Sequence, residues 1–193
     1  TNGFRENQYK SITNSDGKSE LLIRNKSTWL PYSFIQFNLT ALYSKQNNKY
    51  DVWAPDNNNN LFTYSDREGK DSQVSRAFSL RSRVEDIGGF DLLSITTYSL
   101  NEMEHSYDGD WGNSELWSQD PYNFDPDIEG WNYDFFDQTI RSRITGTEEI
   151  RVSKSIGKQS SIIAGTYIKF LSETDDASGY LFGGDASKYD GSF

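Results

Sequence analysis

The stretch from Asp137 to Phe170 reads DQTIRSRITGTEEIRVSKSIGKQSSIIAGTYIKF. It divides into two long strands around a tight turn at Ser155-Ile156-Gly157-Lys158. In the first arm Ile140, Ile144, Ile150 and Val152 fall on one face, and Thr139, Arg141, Arg143, Thr145, Thr147, Glu149 and Arg151 fill the other. In the second arm Ile162, Ala164, Ile168 and Phe170 alternate with Ile163, Gly165, Tyr167 and Lys169. A period of two marks strands with one apolar and one polar face. Strands of soluble proteins usually run about 5–6 residues, and each arm exceeds that. A face carrying this many arginines and acids lines water. Long alternating arms with a short turn suit a membrane β-barrel, apolar toward lipid and polar toward the lumen.

Working outward, the same pattern predicts strands over 18–29, 33–53, 71–86, 90–107, 137–154 and 160–173. The cleanest alternation is in Ser33–Trp53, where Ile35, Phe37, Leu39, Ala41 and Tyr43 alternate with Gln36, Asn38, Thr40 and Ser44. In the fourth strand Leu93, Ile95 and Thr97 share one side and Leu92 and Tyr98 the other, so its register stays open. Leu30-Pro31-Tyr32 and Ile87-Gly88-Gly89 read as short turns. The connections 54–70 and 108–134 are long, and a Gly/Asp/Ser-rich tail is expected after Glu173. In an antiparallel meander every second connection lies at the same end. Short turns therefore gather on one side and long loops on the other, as short periplasmic turns and long extracellular loops do in membrane barrels. The fold class read from these patterns is all-β, an antiparallel up-and-down meander forming part of a transmembrane β-barrel. About six strands fall short of the eight that close the smallest such barrels.

Composition narrows the class. The chain has 193 residues and net charge −10, which disfavours nucleic acid as a partner. Hydrophobic residues make up 34%, yet aromatics reach 15%, too many for a disordered chain. There is no cysteine and a single histidine, His105, so thiolate and multi-histidine metal sites are excluded. No apolar run approaches the roughly 18 residues of a membrane helix. The opening Thr1-Asn2-Gly3-Phe4 lacks a signal-peptide pattern and reads as the interior of a longer protein.

Several segments then resemble one family. Thr147-Glu148-Glu149-Ile150-Arg151-Val152-Ser153 followed by Ile163-Ala164-Gly165-Thr166-Tyr167-Ile168 looks like a barrel hairpin of TonB-dependent outer-membrane receptors. Asn2-Gly3-Phe4-Arg5-Glu6-Asn7 resembles their Asp-Gly-Phe-x-x-Asn segment, and Ser94-Ile95-Thr96-Thr97-Tyr98 one of their strands. Tyr107-Asp108-Gly109-Asp110-Trp111, then Asp137-Gln138-Thr139, is similar to siderophore-type members. The resemblance implies a barrel of roughly 22 strands with a plug, of which residues 1–193 are a partial barrel domain without the plug. It implies active, non-enzymatic uptake across the outer membrane of a Gram-negative bacterium, with no cofactor. The partners implied are a small nutrient such as a ferric siderophore, outer-membrane lipid, and the TonB complex through the absent plug region.

The 108–134 loop carries the candidate ligand residues Asp110, Trp111, Trp117, Tyr122 and Trp131, because exposed aromatics anchor ligands. The same aromatics could pack the loop on itself. Asp108 and Asp110 are spaced like calcium-loop ligands, but the series breaks at Gly112, so a solvated turn fits better. Asp120, Asp125, Asp127 and Glu129 lack the fixed separation of a glycosidase pair. Arg81, Arg83, Arg141, Arg143 and Arg151 are expected in ladders with Glu20, Glu85 and Glu149. Two other readings remain: a soluble β-sandwich carbohydrate-binding module, which should break Ser33–Trp53 into shorter pieces, and a passive porin-like channel.

Overall fold

The computed structural model describes residues 1–130, 132–157 and 159–182. In chain order its strands are β1 (Glu6–Asn7), β2 (Glu20–Tyr32), β3 (Ile35–Lys49), β4 (Phe62–Thr63), β5 (Lys70–Val84), β6 (Asp91–Asp108), β7 (Phe135–Ile156) and β8 (Ser160–Phe182). Helices α1 (Ser114–Ser118) and α2 (Pro126–Glu129) lie between β6 and β7. Six strands form one sheet in the order β2-β3-β5-β6-β7-β8, each antiparallel to its sequence neighbour. The expected meander is therefore present. β1 and β4 form a separate two-stranded parallel pair.

Pairing register assigns the faces, since directly opposed residues point the same way. One row runs Tyr32, Ile35, Val84, Leu92, Val152 and Ala164 across the sheet. Farther from the short turns, another runs Ala41, Phe78, Tyr98, Gly146 and Phe170. Arg81, Arg83, Glu149 and Arg151 occupy the opposite face, as the alternation predicts. The open register of β6 resolves with Leu92, Tyr98 and Leu100 on the apolar face and Leu93 and Ile95 on the polar one. Beyond the Tyr43, Arg76, Leu100 and Ile144 row the apolar face becomes mixed: Lys45, Glu102 and Ser142 enter beside Leu21 and Val74, with Ile140 one row farther. The apolar surface is thus a band toward the short turns, not a whole face. Within it Glu148 accepts hydrogen bonds from Ser94 Oγ and Thr96 Oγ1.

Among the described residues nothing covers this band. Ile23, Trp29, Phe78, Tyr98, Ile162, Ile168 and Phe170 are all exposed, and Trp117 is the one buried hydrophobic side chain among the described residues. The chain exposes 12911 Å², whereas a compact monomer of its 22.1 kDa exposes about 9,300 Å².

Three boundaries differ from expectation. Pro31 lies inside β2, with the real turn at Ser33–Phe34. β2 is an edge strand, where a missing N–H costs no ladder bond, and the register shifts between Trp29 and Tyr32. β3 ends at Lys49 rather than Trp53, because Asp51 is drawn into the loop end. The first part of the tail expected after Glu173 is instead strand through Phe182, where Glu173 and Asp175 pair with Arg143 and Arg141 across β7, and its remainder, 183–193, lies outside the described residues. Between β5 and β6, Ile87 and Phe90 exchange backbone hydrogen bonds around Gly88 (φ 62°) and Gly89 (φ 82°). Two consecutive positive φ values give the turn whose twist matches a hairpin, and only glycine adopts them freely.

Candidate functional site

The long connections and the N-terminal segment meet at one end of the sheet and form a cap built from polar groups. Asp51, 7% exposed, organises its first half. It accepts from Asn7 Nδ2 at 2.9 Å, Thr63 Oγ1 at 2.7 Å and Ser65 Oγ at 3.0 Å. Asp16 accepts from the Phe4 and Arg5 backbone N–H groups, both at 2.9 Å, closing the N-terminal turn. The asparagine run 57–60 packs this connection: Asn58 Oδ1 accepts from the Asn60 and Phe62 N–H groups, and its amide donates to Asp56. The Tyr64 hydroxyl also donates to Asp56, at 2.7 Å. Burial acts upward on the Asp56 carboxyl, yet the bonds from Asn58 and Tyr64 outweigh it and hold it below its ordinary value. Burial and Asp56 together push the Tyr64 hydroxyl up to about 12.

The second half is built on Asp108 and Asp110. The expected solvated turn is corrected here, since each is only 4% exposed. Asp108 accepts from the backbone N–H groups of Asp66, Arg67, Asp110 and Trp111 at 3.1–3.4 Å. Asp110 accepts from Gly112 N, Trp117 Nε1 and Phe135 N at 3.0, 2.9 and 2.8 Å. Burial, before any neighbour, raises the Asp110 carboxyl above its ordinary range, and these N–H donors oppose it. Asp66 is also raised, by burial and then by Asp110 and Asp134. Among the described residues no group of three or more His, Asp or Glu is placed to hold a metal.

The candidate ligand residues therefore separate. Trp117 is buried, with Tyr122 and Tyr133 rings 4.6 and 4.5 Å away. A Cβ on Gly112 would lie 2.5 Å from the Trp117 indole nitrogen, which is why the chain carries glycine there. Asp110 spends its carboxylate on the loop itself. Trp111 faces outward, 39% exposed, beside Trp53 at 56%, with ring centroids 6.0 Å apart. Trp111 holds φ +60°, uncommon for a bulky residue, and its N–H is fixed on Asp108. Trp131 lies outside the described residues. Asn113 Oδ1 caps α1 through Leu116 N, while its amide donates to Tyr64 O and ties the two loops together. Trp53 is not legible as a site residue in the sequence, because its partner Trp111 lies far along the chain.

The arginines also pair differently from expectation. Arg83 pairs with Glu85 and Arg151 with Glu149, each within its own chain segment, while Arg141 and Arg143 pair across strands with Asp175 and Glu173. Glu20 instead accepts from Asn48. His105 sits between Tyr50 and Tyr107 rings at 4.8 and 5.8 Å, with Asp71 3.5 Å from its Nδ1.

Comparison with protein-family models, with curated proteins and with solved structures finds no match to the chain.

Proposed function

We propose that the chain is a wall segment of a TonB-dependent outer-membrane receptor, engaged in active uptake of a scarce nutrient such as a ferric siderophore rather than in catalysis. The observation that carries the reading is the uncovered apolar band on a meander whose connections are sorted by length. From Ile35 to Tyr43 the band spans eight residue steps on β3, about 27 Å at roughly 3.4 Å each. A strand tilt of about 40° reduces that to roughly 21 Å, close to the band of about 25 Å on a membrane barrel. Trp29 stacks on Phe37 at 5.4 Å near the short-turn margin, and Tyr43 and Tyr98 sit nearer the other margin, as interfacial girdles do. Lys154 on one side and Arg76, Lys45 and Glu102 on the other bound the band with charge. In this reading the capped end faces outward and presents Trp53 and Trp111 to ligand.

The absence of cysteine makes a direct test available. Single variants Trp111→Cys, Ile87→Cys and Ile150→Cys in the parent cell are treated with a membrane-impermeant maleimide. Trp111→Cys should label in intact cells, Ile87→Cys only after the outer membrane is opened, and Ile150→Cys only in detergent. Labelling of Ile87→Cys in intact cells would defeat the orientation. Uptake of a radiolabelled ferric hydroxamate or catecholate by iron-starved cells should stop with a protonophore. Persistence of that uptake would favour the passive channel.

A further inference from the structure

The cap holds a cavity to which neither the apolar band nor the Trp53–Trp111 pair contributes. It has a volume of about 480 Å³ and lies between the N-terminal segment and the facing ends of β3 and β5. Lys18, Lys49 and Lys70 line it, against one lining acid among the described residues, Glu68. In a chain of net charge −10, this gathering of cations is the reverse of the average surface. Lys49 and Lys70 are register partners, and like charges directly opposed across a ladder destabilise it. Only part of the charge is answered. Glu104 holds Lys70, and Glu68 lies 3.7 Å from Lys10, outside the cavity. The Lys49 ammonium donates to a neutral acceptor, Asn14 Oδ1, at 2.8 Å. Lys18 has no ion pair among the described residues. The acids next along the chain are turned to other partners, Asp16 to the Phe4 and Arg5 N–H groups and Glu20 to Asn48.

The rest of the lining is amide and hydroxyl. The Asn2 and Asn47 side chains have no hydrogen-bond partner among the described residues. Each amide offers two donors and an acceptor, the complement of a sugar hydroxyl, which both donates and accepts. Among the described residues no aromatic or aliphatic one lines the cavity, so a nucleobase or an apolar chelate finds no surface to cover. Inorganic phosphate alone would leave most of the volume and both amides unused, whereas sites of about 300–1,000 Å³ take whole small molecules. Lysine meets phosphate as a point charge, while a planar carboxylate is better matched by the arginine fork. Lys49 stands six residue steps beyond Tyr43, at the margin of the band. That is about 20 Å along the strand, or roughly 15 Å of height at a tilt of about 40°. The headgroup layer adds only about 5–8 Å to each side of a bilayer core, so the cavity opens to water.

We infer that this cavity binds a soluble phosphorylated saccharide, with the phosphate among the Lys18, Lys49 and Lys70 ammoniums and the hydroxyls on Asn2 and Asn47. The phosphate supplies the counter-charge that Lys18 and Lys49 lack within the chain. It also relieves the repulsion between Lys49 and Lys70 across the ladder. Lys70 keeps Glu104, so Lys18 and Lys49 contribute most of the charge recognition. The inference concerns the cap alone and holds whether or not the apolar band meets lipid.

The test is titration calorimetry of the whole chain in non-ionic detergent with glucose 6-phosphate. Binding is expected, weakened at least tenfold in Lys18→Gln and in Lys49→Gln and unchanged in Lys26→Gln, a lysine outside the cavity. Asn47→Ala should weaken glucose 6-phosphate at least threefold and leave inorganic phosphate unaffected. Glucose and inorganic phosphate should each bind at least tenfold more weakly than glucose 6-phosphate. Circular dichroism of each variant checks that the sheet persists. No binding of glucose 6-phosphate, wild-type affinity in both lysine variants, or glucose binding as tightly overturns the proposal. So does inorganic phosphate binding as tightly, since that would define a simple anion pocket. Micelles carrying phosphatidylinositol phosphate test a lipid source. Binding to them without binding of free glucose 6-phosphate would assign the cavity to a headgroup and overturn the soluble ligand.

Discussion

Replacing Asp51 with alanine should unfasten the cap and leave the sheet standing. Asp51 is the common acceptor of Asn7, Thr63 and Ser65, joining the N-terminal segment to the 50–69 connection. Hydrogen bonds to a charged group contribute about 1.5–3 kcal/mol each, so the gross loss is roughly 4.5–9 kcal/mol. Part is recovered. Asn7 Nδ2 keeps its bond to the Ser65 carbonyl at 2.8 Å, and the Thr63 hydroxyl can turn to Ser15 Oγ, 3.4 Å away. We expect a net loss of about 3 kcal/mol from local cap stability, which is roughly a hundredfold in an opening equilibrium. Amide hydrogen exchange reads it directly. The Gln8 N–H, bonded to Thr63 O at 2.9 Å, should exchange about a hundredfold faster, while amides in the β5–β6 ladder keep their protection. Unchanged exchange at Gln8 would show that the network contributes little. Simultaneous loss of ladder protection would refute the separation of cap from sheet.

Three further outcomes follow from the cap's geometry. Gly69→Ala would place a Cβ 1.8 Å from the Tyr50 carbonyl oxygen and 2.9 Å from that of Ser106. It should cost about 3 kcal/mol, read as faster exchange at Tyr50 N, and wild-type protection there would contradict the packing. Asp66 and Asp110 have folded pKa values raised above the ordinary 3.8, so their contribution is fully present below 3.8 and is lost as pH rises through the folded values. Asp56 is lowered, so its contribution is present above 3.8 and lost as pH falls through its folded value. Acidification from about pH 7 to about pH 4 should therefore protect the Trp117 indole N–H, and only further acidification, below about pH 3.8, should loosen the Phe62 amide; loosening of the Trp117 indole in the first step, or protection of the Phe62 amide in the second, would refute the assignment. Trp53→Ala with Trp111→Ala removes two exposed rings and should lower ferric-siderophore uptake at least tenfold while changing stability by under about 1 kcal/mol. Unaltered uptake would leave the pair without a ligand role.

The sheet was legible because its signal is local. Ile35, Phe37 and Leu39 alternate within one strand, and alternation alone gives the face. Pairing with sequence neighbours adds the register. The boundaries failed where a distant residue decides. Lys49 ends β3 because Asp51 is held by Asn7, which lies 44 positions away, and no window around residue 51 contains Asn7. β8 continues past Glu173 because Arg141 and Arg143 supply counter-charges across the ladder; read alone, that segment has the composition of a loop. Asp108 and Asp110 look solvated in sequence because aspartate usually is. Their burial depends on N–H groups from Asp66, Arg67 and Phe135 converging on them. Trp111 was legible as a candidate, but its neighbour Trp53 belongs to another connection and only the fold unites them.

The length of the strands bears on which medium covers the sheet. β7 has 22 residues, about 73 Å at roughly 3.3 Å per residue, far more than a bilayer's hydrocarbon core of about 30 Å requires even with tilt. A sandwich partner sheet would need apolar side chains along the whole overlap. The face carrying Ile144, Ile150 and Val152 supplies them only in part: toward the cap Ile140 alternates with Ser142 and Gln138, opposite Glu104, Glu102 and Ser106. That end carries polar groups on both sides, which fits the proposed reading of strands that leave a bilayer and stand in water. The continuous apolar rows end at the level of Arg76, Lys45 and Glu102, beyond which Leu21, Val74 and Ile140 stand singly among polar side chains. Under the proposed membrane reading, a layer of fixed thickness with water on both sides sets that level. A protein partner would have to match the change from Tyr43 to Lys45 on β3 and from Leu100 to Glu102 on β6 at the same level of the sheet.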